Sequence, residues 1–183
     1  MLASTSARLD ATGVSYKTNF IEIWRTTWRH FEEPVHAFVS SLAIHHLDGT
    51  GKAPLYKDLA NALAPGGIVV VCDLVESLAA EGLALWKRHW DDGVRTRAIE
   101  LDGDLAMLDF FRRDGWNYYA DPLSDPIDQP SGLHEQLNWL SDAGLVGVDV
   151  HWLKAGHAIF SARKPAEPAS IDSCKQLVRA RRG

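Results

Sequence analysis

The chain has 183 residues, 46% of them hydrophobic and 23% charged, with a formal net charge of -5. That length and balance suit one globular domain with a real core, and the acidity excludes a surface built to neutralise nucleic-acid phosphates. Cys72 and Cys174 lie far apart and form neither a disulfide framework nor a zinc spacing, which fits a reducing, cytoplasmic setting; the run "GGIVVVC" is too short to span a bilayer, and "MLASTSARLDATG" has no leader pattern, so no membrane partner is expected.

In chain order, residues 2 to 12 read as a helix closed by Gly13, and "VSYKTNFIEI" is β-rich enough to be a strand. "WRTTWRHFEEP" is a polar connection bearing aromatics. "VHAFVSSL", residues 35 to 42, is a short continuous apolar run of the kind found in strands buried on both faces. From Lys52 to Leu63 the positions Leu55, Leu59, Ala60 and Leu63 recur at helical spacing until "APGG" breaks the pattern, and the buried strand "IVVVCDL" follows. Strand, helix, turn and strand make a βαβ unit with a parallel pairing. Residues 78 to 115 read as two helices split near "ELDGD", the second with Leu105, Leu108 and Phe111 on one face. "GWNYYADPLSDPIDQPSG" is a long loop suited to a lid or substrate wall. Residues 132 to 143 give an amphipathic helix with Leu133, Leu137 and Leu140 on one face and Gly144 as its stop, and "VGVDVHWLKAGHAIFSARK" folds into a hairpin about Ala155-Gly156. The domain is expected over 1–164, with 165–183 a polar, basic and disordered tail.

Three stretches together, "FVSSLAIHHL", "LYKDLANALAPGGIVVVCD" and "HEQLNWLSDAGLVGVDVHWLKAGHAIFSARK", resemble the C-terminal two-thirds of class I S-adenosylmethionine-dependent methyltransferases of the small-molecule type. The resemblance covers roughly residues 10 to 164 and implies an α/β, Rossmann-like sheet, mostly parallel, that ends in an antiparallel hairpin. It implies S-adenosyl-L-methionine as cofactor and methyl transfer to a small molecule as the activity. The family's Gly-rich cofactor loop and its first two strands have no counterpart here: no "GxGxG" occurs, and "PGG" runs from helix to strand, the reverse of a phosphate or ribose loop. The expectation is an N-terminally truncated methyltransferase, with a catalytically dead binding or dimerisation module and a gene fragment as the alternatives. Residues 14 to 22 would be the family's third strand. With the central strand missing, "AFVSSLAI" would be an open edge, so "SYKTNFI" is expected to slide in beside 35 to 42, or a second protomer to pair there.

Carried over by resemblance, Glu22 and Ile23 match the acidic-apolar pair near the adenine, and Ser40, Ser41 and Leu42 match the methionine side of the cofactor. The remaining candidates come from strand ends, where open parallel sheets bind ligands. His46 is the candidate catalytic residue, as a general base or as a packed or capping ring, with His45 beside it in contact with substrate. Zinc would need a third and a fourth ligand, and Asp48 alone does not complete a site, so no metal is expected. Asp73 stands at the pocket rim, with a helix N-cap as its alternative role. Trp116 and Tyr119, with Trp86, Trp90 and Tyr118, form either a substrate wall or aromatic core. His151, Trp152 and His157 read as sheet-face residues.

Overall fold

The computed structural model describes residues 2–122 and 127–166, with side chains from residue 6 onward. Helix α1 spans Leu2–Asp10 and stops where expected, before Gly13. Most of the anticipated tail, and Cys174 with it, lies outside the described residues. Among the described residues no helix is long and apolar enough to cross a membrane.

The βαβ unit forms as its sequence predicts. Strand β1 (Val35–Ser41) leads through a 3-10 turn at Ile44–His46 into helix α2 (Gly49–Ala62), and β2 (Leu63–Leu74) returns parallel to β1. Asp48 starts α2 as an N-cap, its side chain accepting from the Gly51 amide at 2.8 Å. Lys52, Leu55, Tyr56, Leu59 and Ala60 recur on one face of α2 and are all buried. The "APGG" turn lies inside β2 and not before it. Pairing steps from Val35–Leu63 to Ala37–Ile68 across a bulge, and Gly66 there takes φ +77, a left-handed conformation open to glycine. The bulge is fastened to the residue that follows the hairpin's second strand: the Gly66 amide donates to Lys164 O at 3.1 Å, and the Lys164 amide to Gly67 O at 2.9 Å.

Helices α3 (Ala80–Asp102) and α4 (Ala106–Arg113) follow, divided at Gly103 as the sequence indicates, with Leu108 and Phe111 buried and Leu105 exposed. Helix α5 (Leu133–Asp142) leads into the hairpin of β3 (Val146–Lys154) and β4 (His157–Arg163). The two turn residues, Ala155 at φ +49 and Gly156 at φ +76, have the positive φ values that a two-residue hairpin turn uses. Tyr119 leaves no room for a side chain at Gly156, since an added Cβ would lie 2.1 Å from the phenol ring.

The sheet order is β1-β2-β4-β3, with β4 antiparallel to both of its neighbours. Val69 and Val71 of β2 and Phe160 of β4 meet Leu55, Tyr56 and Leu59 of α2 and Leu140 of α5 in the main core. Fully burying a side chain of this size contributes about 1.5–3 kcal/mol, so this layer dominates stability. A second, aromatic cluster joins Leu74, Tyr118 and Tyr119 to Trp86 and Trp90 of α3.

Two expectations are corrected at the β1 side. Residues 14 to 22 form no strand, and "SYKTNFI" does not pair with β1, whose partner among the described residues is β2 alone. An alternating segment becomes a strand only where a neighbour takes its hydrogen bonds, and residues 14 to 22 have none beside them. Nor is β1 buried on both faces. Phe38 packs against the core and edge-on to Phe31, while Val39 is 76% exposed.

Candidate functional site

The site is organised by Asp73, near the C-terminal end of β2. Its side chain is 1% exposed, so it is not at a rim as the sequence suggests. One carboxylate oxygen accepts from the backbone amides of Ile44 at 2.7 Å and His45 at 3.1 Å. The other accepts from the Leu74 amide at 2.9 Å and makes a short contact with His45 Nδ1. The sheet brings this about: parallel pairing puts the ends of β1 and β2 side by side, so a carboxylate on β2 reaches the amides that open the turn after β1. The alternative role as a cap is therefore the nearer one, although Asp73 caps a turn on the neighbouring strand's loop and not its own helix.

His45 is buried, 6% exposed, with its ring between two carboxylates: Nδ1 on Asp73, and Nε2 at 3.3 Å from Asp128 Oδ1. Burial works against its protonated form, but the bond to Asp73 and the charges of Asp73 and Asp128 outweigh that and raise its pKa above the ordinary imidazole value. Both ring nitrogens thus face carboxylates, in place of the expected substrate contact of His45. His46 stays half-exposed at 37%, with Nδ1 3.1 Å from Asp128 Oδ1. That leaves Nε2 as the nitrogen open to solvent or a ligand.

A second set of buried polar groups extends the network toward α5. Lys52 is fully buried, its ammonium donating to Gln129 O and to Ser131 Oγ at 2.9 Å. Burial lowers its pKa to about 8, partly countered by Asp73. Tyr56 donates to Gln136 Oε1 at 2.7 Å, and Gln136 donates to Ser131 O at 3.2 Å. The Gln129 amide donates to His45 O at 2.7 Å. The loop before α5 is thus stitched to the turn after β1 and to α2. None of Asp128, Lys52, Ser131, Gln136 and Tyr56 was a sequence candidate. Lys52 carried one signal, a charge on the apolar stripe of α2, and Asp128 carried none.

The other candidates separate. Ile23 and Ser40 both line an apolar cavity of about 200 Å³ beside β1, together with Ile21, Trp28 and Phe38. Glu22 is paired with Arg25 instead. Ser41 and Leu42 are exposed, Leu42 with φ +49 and its amide donating to Cys72 O at 2.9 Å. Tyr119 is buried in the aromatic core, its hydroxyl 2.8 Å from Val75 O and 2.7 Å from Gly156 O. Around it stand Trp86, Trp90 and Tyr118, and His157 packs edge-on to Trp90 at 4.8 Å, so this group is core rather than wall. Trp116 is exposed at the end of α4, edge-on to Phe110. His151, by contrast, bonds Ser161 Oγ across the hairpin at 2.7 Å, as a sheet-face residue does.

No protein-family model and no curated protein matches the sequence. Solved structures do match the fold. The S-adenosylmethionine-dependent methyltransferase SibL in its apo form superposes with a TM-score of 0.52 at 13% identity, over 90% of this chain and 40% of that one. An O-methyltransferase family protein from Burkholderia thailandensis superposes with a TM-score of 0.55 at 10% identity, over 91% of this chain and 41% of that one. The fold is the Rossmann-like one of those methyltransferases, in incomplete form, with a sheet of four strands among the described residues. The chain spans about two fifths of the length of the solved structures it matches.

Proposed function

We propose that the chain takes part in methyl transfer from S-adenosyl-L-methionine to a small molecule, contributing the wall of the site that lies at the ends of β1 and β2. The observation that supports this reading is the placement of a rigid polar hub at the carboxyl ends of two parallel strands, where sheets of this kind bind ligands.

The residues fit one side of the donor and not the other. Ser40, Ser41 and Leu42 lead into a turn whose backbone is held by Asp73, which suits the methionine end. The cavity lined by Ile23 and Ser40 is almost wholly apolar, and Glu22, the expected adenine acceptor, is engaged by Arg25. In the described turn from β1 to α2 the Gly51 amide is already capped by Asp48 and is not offered to a ribose. S-Adenosylmethionine, when bound, supplies an electrophilic methyl group; the acceleration then comes chiefly from positioning and exclusion of water. His46 is the group that can take the acceptor's proton, through Nε2, with Asp128 lying beside Nδ1.

A second reading is favoured by the open edge of β1 and the closed Glu22–Arg25 pair: a module without catalysis that binds a small molecule or associates with a second copy through that edge. Isothermal titration with S-adenosylhomocysteine separates the two. Saturable binding at about micromolar Kd supports methyl transfer, and no heat at millimolar ligand favours the module.

A further inference from the structure

We propose that His45, His46 and Asp128 form a binding site for one Zn²⁺ ion. The sequence hides this site, because the two histidines lie in the turn after β1 and the carboxylate in the loop before α5.

Asp128 Oδ1 stands 3.3 Å from His45 Nε2 and 3.1 Å from His46 Nδ1, and one ligand atom from each residue lies within 4.8 Å of the other two. Zinc bound by imidazole and carboxylate at about 2.0–2.1 Å in a tetrahedral shell separates neighbouring ligand atoms by about 3.3 Å. That is close to the spacing found on both sides of Asp128.

Two further observations point to a cation. His45 places its other nitrogen, Nδ1, on the Asp73 carboxylate, which the Ile44, His45 and Leu74 amides hold in turn. A carboxylate behind an imidazole is what fixes the tautomer of a metal-bound histidine and directs the opposite nitrogen's lone pair at the ion. His46 Nδ1, for its part, is screened from solvent and makes no hydrogen bond, since its 3.1 Å approach to Asp128 lies outside hydrogen-bond geometry. A buried ring nitrogen without a partner costs free energy that a coordinated cation removes. Lys52 does not supply the missing charge at this point, because its ammonium is committed to Gln129 O and Ser131 Oγ.

The donor set selects the ion. Two imidazoles and one carboxylate suit Zn²⁺, whereas Mg²⁺ and Ca²⁺ take oxygen shells. Three protein ligands leave a fourth position for water or for an oxygen of a small molecule. Zinc binding needs no methyl donor, although the site shares His46 and Asp128 with the proposed transfer.

The test is calorimetric titration of the metal-free chain with ZnCl₂, paired with the visible spectrum of the Co²⁺-substituted protein, for the wild type, His46→Gln and Asp128→Asn. The expected result is one Zn²⁺ per chain at about micromolar Kd or tighter. Co²⁺ gives the intense visible bands of a four-coordinate site, and each variant weakens Zn²⁺ by more than the roughly 10–100-fold typical of outer-shell changes. Absence of stoichiometric binding by the wild type overturns the proposal. So does an affinity in the variants within about threefold of the wild type, which would put the ion elsewhere. The variants alter separate segments, so either one decides if the other fails to fold.

Discussion

Residues 36 to 41 and residues 43 to 46 adjoin in sequence and differ in how their backbone groups are satisfied. In the first stretch β1 pairs, among the described residues, on one side only, and its sequence "VHAFVSS" has no lysine or proline to blunt that edge. In the second, the Ile44 and His45 amides bond Asp73, the His45 carbonyl accepts from Gln129, and Asp128 lies against both histidine rings. The chain therefore turns, within a few residues, from a backbone open to a partner to one closed by tertiary bonds. Such a boundary suits a ligand site, because the closed part gives fixed geometry and the open part gives access.

The contrast breaks most readily at Asp73. Asp73→Ala leaves buried donors from the turn after β1 and from β2 without an acceptor and should cost about 3–5 kcal/mol, read as the loss of urea midpoint or as failure to fold. Lys52 sharpens the picture by pH. Its folded pKa is depressed from 10.5 to about 8, so between those values the unfolded state holds the proton more tightly. Stability conferred by Lys52 is thus present above pH 10.5 and lost as pH falls through about 8. Urea titrations across that window should show the wild type gaining on Lys52→Met by at most about 1.4 kcal/mol per pH unit. A flat difference would mean that Lys52 stays hydrated. Tyr119→Phe removes a buried hydroxyl that serves Val75 O and Gly156 O and should lower stability by about 1–2 kcal/mol in the same measurement. On the open side, Val39→Lys should change stability by less than about 0.5 kcal/mol, and any concentration-dependent association seen by sedimentation should disappear with it.

What could be read from the sequence follows the same division. Helices α2 and α5 and the β3–β4 hairpin declare themselves through local patterns: the Leu55, Leu59 and Ala60 spacing, the Leu133, Leu137 and Leu140 stripe, and the Ala155-Gly156 turn. Each is decided by its own residues. The β-like "VSYKTNFIEI" misleads because strand formation depends on a neighbour, which no local pattern can report. Placing "APGG" before the strand fails for a related reason, since the bulge is held by Lys164 at the other end of the domain. Of the site, His45, His46 and Asp73 were visible as residues at strand ends. Their roles were not, because the hub arises only when β1, β2 and the loop before α5 converge.

Hydrogen exchange of the peptide covering residues 36 to 42, with and without saturating S-adenosylhomocysteine, tests most directly whether a methyl donor is gripped at the end of β1. The account predicts fast exchange in the free protein, relative to the doubly paired residues 68 to 72, and marked slowing on addition of the ligand. Exchange of 36 to 42 that is already as slow as that of 68 to 72, or that the ligand leaves unchanged, would contradict it.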